Sequence, residues 1–266
     1  MPSAWHTLGR GAMGVRPGYA PETAAYLDYI ESQGVPADAT RSALLDAFIG
    51  GLAADGVLTR LDALYLLIGH ADLATRVNIV SPGAYTLTKV NSPLFTADGG
   101  WADNGGAGYL DSGFNISSAS GRKYAQNDAG IGGAVLGGST SAAAFIGAGA
   151  NALIVASTGL AMRSRLNQGS NNDLSGFTTP KAVMGVDRTG SNLGQRYRAG
   201  TAQTAFTTAS AAPTNDTFKV LTNNGSAFSG QTVGLAWVGQ SVGAAGQAAL
   251  RSRYVVFATA LGLTPE

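Results

Sequence analysis

The chain has no cysteine among its 266 residues. Disulfides, zinc–thiolate sites and thiol nucleophiles are therefore excluded, and the fold must hold on burial and hydrogen bonding alone. Charge is scarce as well. Only 12% of residues are Asp, Glu, Lys or Arg, about half of the roughly 25% usual in globular chains. The wetted surface must then be made of Ser, Thr, Asn, Gln and Gly, which suits β-sandwiches and faces that pack against other subunits. No apolar run approaches the ~20 residues that span a bilayer. Met1–Tyr19 lacks the apolar core of a signal peptide, so neither a membrane partner nor general secretion is expected. Histidine is limited to His6 and His70, and glutamate to Glu22, Glu31 and Glu266.

The net charge of +1 hides an asymmetry. Ala20–Asp72 carries eight acids and two bases, whereas Ser81–Glu266 carries twelve bases and eight acids. Neither part is basic enough to read as a nucleic-acid binder. Glycine is abundant, at 38 residues. It follows no three-residue period, which excludes collagen, and it punctuates short apolar runs as turns between strands do.

Residues 1–19, rich in Gly, Arg and Pro, read as an extended arm. Pro21 opens a helix that Gly34-Val35-Pro36 ends. A second helix runs from about Ala37 to Ala54, with Leu44, Leu45, Phe48, Ile49 and Leu52 on one stripe. Thr59, with Asp62 three residues on, is close to a capping box and predicts a third helix burying Leu61, Leu64, Tyr65 and Ile68. Residues 20–78 thus form a small helical domain that needs something to pack on. Beyond it, Tyr85–Val90, Ala142–Ile146, Leu160–Gln168, Lys181–Arg188, Asn192–Arg198, Thr217–Thr222 and Gln231–Val238 read as strands separated by Gly, Asn, Ser and Pro clusters. Strands without interleaved helices predict a mainly β sandwich or jelly roll over 79–266. A helix from about Ala244 to Leu261 closes it, with Leu250, Tyr254, Phe257 and Leu261 on one face and Gly262 as the stop.

Three segments carry a family resemblance: Gly51–Tyr65 (GLAADGVLTRLDALY), Leu87–Trp101 (LTKVNSPLFTADGGW) leading to Tyr109–Asn115 (YLDSGFN), and Arg253–Gly262 (RYVVFATALG). In that order they resemble a group of phage and prophage structural proteins. The resemblance covers roughly residues 22–262, by texture alone in the middle. It implies a helical segment before a concanavalin A-like (laminin-G-like) jelly roll, and a closing helix. It implies a virion component, head decoration, head fibre or tail fibre, assembled in the host bacterial cytoplasm. Its partners would be other capsid or tail proteins, and the low charge and Gly/Ala-rich faces suit packing against further copies of itself.

Candidate chemistry is sparse. Gly239-Gln240-Ser241-Val242-Gly243 has the form of a hydrolase nucleophile elbow between a strand and a helix. No histidine follows it, and Ser241 reads instead as the cap of the last helix. Glycosidase chemistry needs two carboxylates. No glutamate lies inside the β region, which leaves pairs such as Asp111 with Asp128. Asp98, Asp103 and Asp111 sit in glycine-rich loops of the kind that can hold calcium, but turn chemistry explains them more simply. No metal or other cofactor is expected. Arginine gives the most pointed pattern. Arg163 and Arg165 are two apart in one expected strand, Arg196 and Arg198 in another, so each pair shares a face. With Leu160, Met162, Leu166, Leu193 and Tyr197 facing the core, and with both strands in one sheet, four guanidinium groups would cover one outer surface. Such a surface suits an anionic host polysaccharide or an acidic neighbouring subunit. Tyr26, Tyr29, Trp101 and Tyr109 are candidate sugar platforms. The expectation is a non-enzymatic virion protein that docks through its N-terminal part and presents a lectin-like sandwich. A carbohydrate-binding adsorption protein and a polysaccharide depolymerase are the alternatives.

Overall fold

The computed structural model describes residues 16, 18–138, 143–157 and 161–266. Most of the arm expected over 1–19 lies outside these residues, as do Ala142 and Leu160 of two expected strands. Two helices open the fold, α1 (Pro21–Ser32) and α2 (Ala39–Ala54). Proline starts α1, where its missing N–H costs nothing. The Asp38 carboxylate caps α2 by accepting from Arg41 N at 2.7 Å. A 3-10 turn (Leu58–Arg60) leads into β1 (Leu61–Leu66), and the short α3 (Asp72–Arg76) follows. Then come β2 (Thr88–Val90), β3 (Leu94–Thr96), β4 (Gly100–Ala102), β5 (Tyr109–Asn115) and β6 (Ala129–Gly138). Next are β7 (Ile146–Ala148), β8 (Ala152–Ser157), β9 (Ala161–Leu166), β10 (Asn172–Leu174) and β11 (Ala182–Gly190). The last strands are β12 (Leu193–Arg198), β13 (Thr201–Ala202), β14 (Thr217–Val220) and β15 (Gln231–Gly239), and α4 (Gly243–Ala260) closes the chain.

The strands form two antiparallel sheets. The first runs β13-β12-β11-β6-β15-β4-β3, with β1 also on β15, and the second runs β10-β9-β8-β7-β14-β5-β2. The expected mainly β sandwich, preceded by helices and closed by one, is the architecture found. Phe114, Phe145, Ile146, Ile154, Phe218 and Val220 of the second sheet meet Ile131, Val135, Met184, Val186, Val233 and Val238 of the first in one buried core. On the other face of the first sheet, Leu64, Ala134, Val183, Leu235 and Trp237 pack against Phe48, Leu52, Leu250, Tyr254 and Phe257 of α2 and α4. The molecule therefore has three layers, and the helices leave the outer face of the second sheet uncovered.

The third helix expected after Thr59 is instead β1. Leu61, Leu64, Leu66 and Ile68 face the helices while Ala63, Tyr65 and Leu67 face the second sheet. A strand buried on both sides reads as a continuous apolar run, which mimics a helical stripe. The Asp62 carboxylate, expected in a capping box, accepts instead from Lys123 N at 2.7 Å and Tyr124 N at 2.9 Å.

Strand β6, with the sequence AGIGGAVLGG, stands in register with the middle of β15, and Gly132 pairs with Trp237. A methyl group on Gly132 would lie inside the Trp237 indole. The same relation holds for Gly185 under Gln247, Gly194 under the Phe206 ring and Gly234 under the Tyr254 hydroxyl. These strand glycines are sockets for large side chains, not turns.

The last helix is not capped by Ser241, which lies buried before it with its backbone N–H on Asp128 at 3.2 Å. Asp187, reaching up from β11, takes that role. Its carboxylate accepts from Gly243 N at 2.9 Å and from Gln247 Nε2 at 3.2 Å. Burial pushes this carboxyl up to about 7 against the opposing pull of those hydrogen bonds.

Candidate functional site

On the second sheet, β8 and β9 alternate strictly. Ile154, Met162 and Leu166 point into the core. Leu153, Val155, Arg163 and Arg165 therefore point outward, and the register sets Arg165 beside Leu153 and Arg163 beside Val155. Leu153, Val155 and Ala144 form a small apolar cluster of their own on this face.

The loop after β14 walls one side of that cluster. It is pinned where Thr222 pairs with Phe228 and where Thr222 Oγ1 donates to Ala227 O at 2.7 Å. It clamps onto the β7–β8 turn through Gly149 N to Asn223 O at 2.7 Å and Asn223 Nδ2 to Gly149 O at 2.7 Å. Gly147 permits this close approach, since a Cβ there would lie 2.8 Å from Asn223 Cβ. The result is an outward-facing hollow of about 230 Å³. Leu153, Val155 and Ala144 floor it, and Arg163, Arg165, Asn171 and Asn224 form its rim.

The two arginines of this rim differ. Arg163 forms a bidentate pair with Asp173, both contacts at 2.9 Å, which holds its pKa above the usual value. Arg165 donates through Nε to Asn171 Oδ1 at 2.7 Å and through Nη1 to Ala150 O at 2.9 Å. It belongs to no ion pair among the described residues.

Arg196 and Arg198 do not join them. They lie on β12 of the first sheet, not beside β9, so the expected four-arginine surface does not exist. Their facing is also the reverse of the expectation. Their register partners Val186 and Met184 belong to the inter-sheet core, whereas Tyr197 pairs with Gly185 on the helix side. Leu193, expected in the core, is 50% exposed.

Arg196 donates to Thr204 O at 2.7 and 3.1 Å and to Asp173 O at 3.0 Å, beside the Phe206 ring. Arg198 donates to Thr179 O at 2.6 Å and Lys181 O at 3.1 Å, with Phe177 4.3 Å away. Burial lowers the pKa of both. These arginines hold loops at the sandwich edge. Asp173 links the two pairs, through its carboxylate on one side and its carbonyl on the other.

Of the candidate sugar platforms, Trp101 is fully buried with its indole N–H on Thr75 Oγ1 at 2.9 Å. Tyr26 is buried and donates to Ala74 O. Tyr109 is half-buried on the same outer face as the hollow, stacked on Phe228 at 6.1 Å across the far side of the β14 loop. Desolvation, then Asp111 and Asp216, raise its pKa. Tyr29 lines a separate hollow of about 310 Å³ with Ala25 and Pro82 beside α1.

The aspartates weighed against a pair or a calcium site serve separate partners, two of them in the turns that the sequence favoured. Asp98 pairs with Arg41, Asp103 accepts from Gly105 N, and Asp111 accepts from Gly113 N and Thr217 Oγ1. Asp128, at the foot of β6 in the opposite sheet from Asp111, holds Gln240 and Ser241. Sequence reading passed over Asn171, Leu153 and Val155. The alternation of β8 was the signal that would have placed the last two.

No protein-family model and no curated protein matches this chain. Solved structures do. A mutant of Trypanosoma rangeli sialidase displaying trans-sialidase activity superposes at TM-score 0.56 with 10% identity, over 80% of this chain and 39% of that one. Trypanosoma rangeli sialidase in complex with sialic acid superposes at TM-score 0.54 with 12% identity, over 73% of this chain and 33% of that one. A third sialidase structure of that organism, a complex with a difluoro-KDN, gives 0.53 at 10% identity, covering 79% of this chain and 39% of that one. This chain thus spans about two-fifths or less of the sialidases it matches, and the likeness is one of fold. It overturns one expectation from the sequence, that the chain is not an enzyme. The same sandwich recurs inside chains described as sialidases, so the jelly-roll architecture gives no ground for separating binder from enzyme.

Proposed function

We propose that this chain is a glycan-recognition protein that binds sugar in the hollow over β8 and β9. The observation that carries the reading is that hollow's composition. Aliphatic side chains floor it, amide and guanidinium groups rim it, and it opens on the one sheet face the helices leave bare. Small-ligand sites combine an apolar floor with a few convergent polar groups in this way. At about 230 Å³ the hollow falls below the roughly 300–1,000 Å³ of drug-sized pockets, which fits a single sugar ring. The sialidase names of the fold's neighbours agree with a carbohydrate ligand. The phage-like segments Gly51–Tyr65, Leu87–Trp101 and Arg253–Gly262 support a virion setting, with the helical side docked on the particle and the second sheet turned outward.

The test is a glycan array probed with the full chain and with Val155→Phe, which fills the hollow from its floor. We expect binding by the wild type and its loss in the variant at unchanged melting temperature. Absence of binding to any glycan, or binding that survives Val155→Phe and disappears in Tyr29→Ala, would refute this site. A reducing-end assay on each bound glycan shows in parallel whether it is also cleaved.

A further inference from the structure

We infer that the sugar this hollow takes is anionic, and that Arg165 is the residue that selects it. The inference rests on the glycan reading above and narrows it to a class of ligand. It starts from charge compensation. On this face Arg163 is neutralised by the Asp173 carboxylate across the β9–β10 pair. Arg165, two residues on, is held among the described residues by neutral acceptors, an amide oxygen and a main-chain carbonyl. Those bonds orient the guanidinium without cancelling its charge, and Nη2 makes no hydrogen bond among the described residues. A half-exposed cation fixed in place beside an apolar floor is a receptor for one negative charge.

The other rim groups agree. Asn171 Oδ1 is occupied by Arg165, and Asn224 Oδ1 by Ser226 N at 3.0 Å and Ala227 N at 3.3 Å. What Asn171 and Asn224 still offer are their Nδ2 donors. Asn223 is the reverse, its Nδ2 bound to Gly149 O and its Oδ1 left to accept. Among the described residues no carboxylate lines the hollow, and the Asp173 carboxylate beside its rim is already paired with Arg163. Donors in excess, one uncompensated guanidinium and a floor sized for one ring describe a carboxylated or sulfated sugar residue at a chain end or branch.

The experiment compares matched polymers by affinity electrophoresis of the full chain. Polygalacturonate and hyaluronan are run against their carboxyl-reduced forms, and dextran sulfate against dextran. The Val155→Phe protein is the control for binding in the hollow. The expected result is at least about tenfold tighter retention by the acidic member of one pair, the size of one charge-assisted hydrogen bond. Arg165→Gln should lose that preference and Arg165→Lys should keep part of it. Preference for the carboxylated or for the sulfated pair supports the inference and names the anion. Equal retention of acidic and neutral members, lost in Val155→Phe, would overturn the inference and leave the glycan reading standing. An acid preference unchanged in Arg165→Gln would overturn Arg165's role. No retention of any polymer, together with a blank array, would refute the glycan reading itself. Should Arg165→Gln melt lower than the wild type, Arg165→Lys against the wild type carries the comparison, since it keeps the charge and removes the planar fork.

Discussion

Replacing Asp187 with asparagine should make this protein more stable at neutral and alkaline pH, and by an amount that grows with pH. The carboxyl lies under the first turn of α4, 1% exposed, and burial lifts it from 3.8 to about 7. In the unfolded chain it ionises near its ordinary value, so between about pH 4 and 7 the folded state holds a proton that the unfolded state has released. Stability from this group is complete below about pH 4, falls as pH rises through that window, and falls no further above about 7. Roughly three units at 1.36 kcal/mol each set an upper bound of about 4 kcal/mol. Asparagine is neutral throughout and keeps an acceptor for Gly243 N. Urea unfolding of both proteins at pH 4.5, 6 and 8 gives the difference directly, because every other titrating group cancels between them. We expect a difference of at most about 1 kcal/mol at the lowest pH and about 2–4 kcal/mol in favour of the variant at pH 8. Parallel curves, or a variant less stable at every pH, would refute the claim that Asp187 is buried uncharged.

Further expectations concern packing and charge. Gly132→Ala should cost about 3 kcal/mol or more by driving a methyl into the Trp237 ring, and Trp237→Leu in the same chain should recover part of the melting temperature lost. Arg188 is fully buried and donates to Leu166 O, Gly190 O, Ser191 O, Thr208 O and Gln168 Oε1. Arg188→Met should cost at least about 3 kcal/mol through those abandoned acceptors, and hydrogen exchange should show the 206–210 loop losing protection first. Asp173→Asn, by contrast, removes an exposed ion pair and should cost under about 1 kcal/mol. It should also strengthen acidic-polymer retention by freeing Arg163, and unchanged or weaker retention would count against an anion-selecting rim.

Where a side chain's surroundings follow from nearest neighbours in sequence, the fold was legible. The stripes of α2 and α4, the proline start of α1 and the Gly262 stop, at φ 79°, all stand as the periodicity predicts. The failures have physical causes. Strand β1 misreads as a helix because both of its faces are covered. Strand β6 escapes notice because glycine is a poor strand former, and only its partner Trp237 explains why glycine is needed there. The site was half legible. Alternation put Arg163 and Arg165 on one face, but which sheet holds β12, and whether Arg196 points out or in, depends on topology that no local pattern carries. That Arg165 has no counter-charge among the described residues follows from Asn171 and Ala150 being its neighbours and Asp173 being Arg163's.

The glycine sockets bear on how the chain finds its pairing. A long strand as poor in side chains as β6 has little of its own to stop it sliding along β15, because register is ordinarily enforced by the side chains a slip would misplace. Trp237 over Gly132 fixes that alignment directly. Tyr254 over Gly234 and Gln247 over Gly185 fix β15 and β11 against α4 in the same way. A helix at the far end of the chain thus proofreads strand alignments laid down well before it. A protein truncated ahead of Gly243 keeps Trp237 over Gly132, and with it the β6–β15 register, but leaves the sockets at Gly234 and Gly185 empty and β15 and β11 without their helix-borne reference.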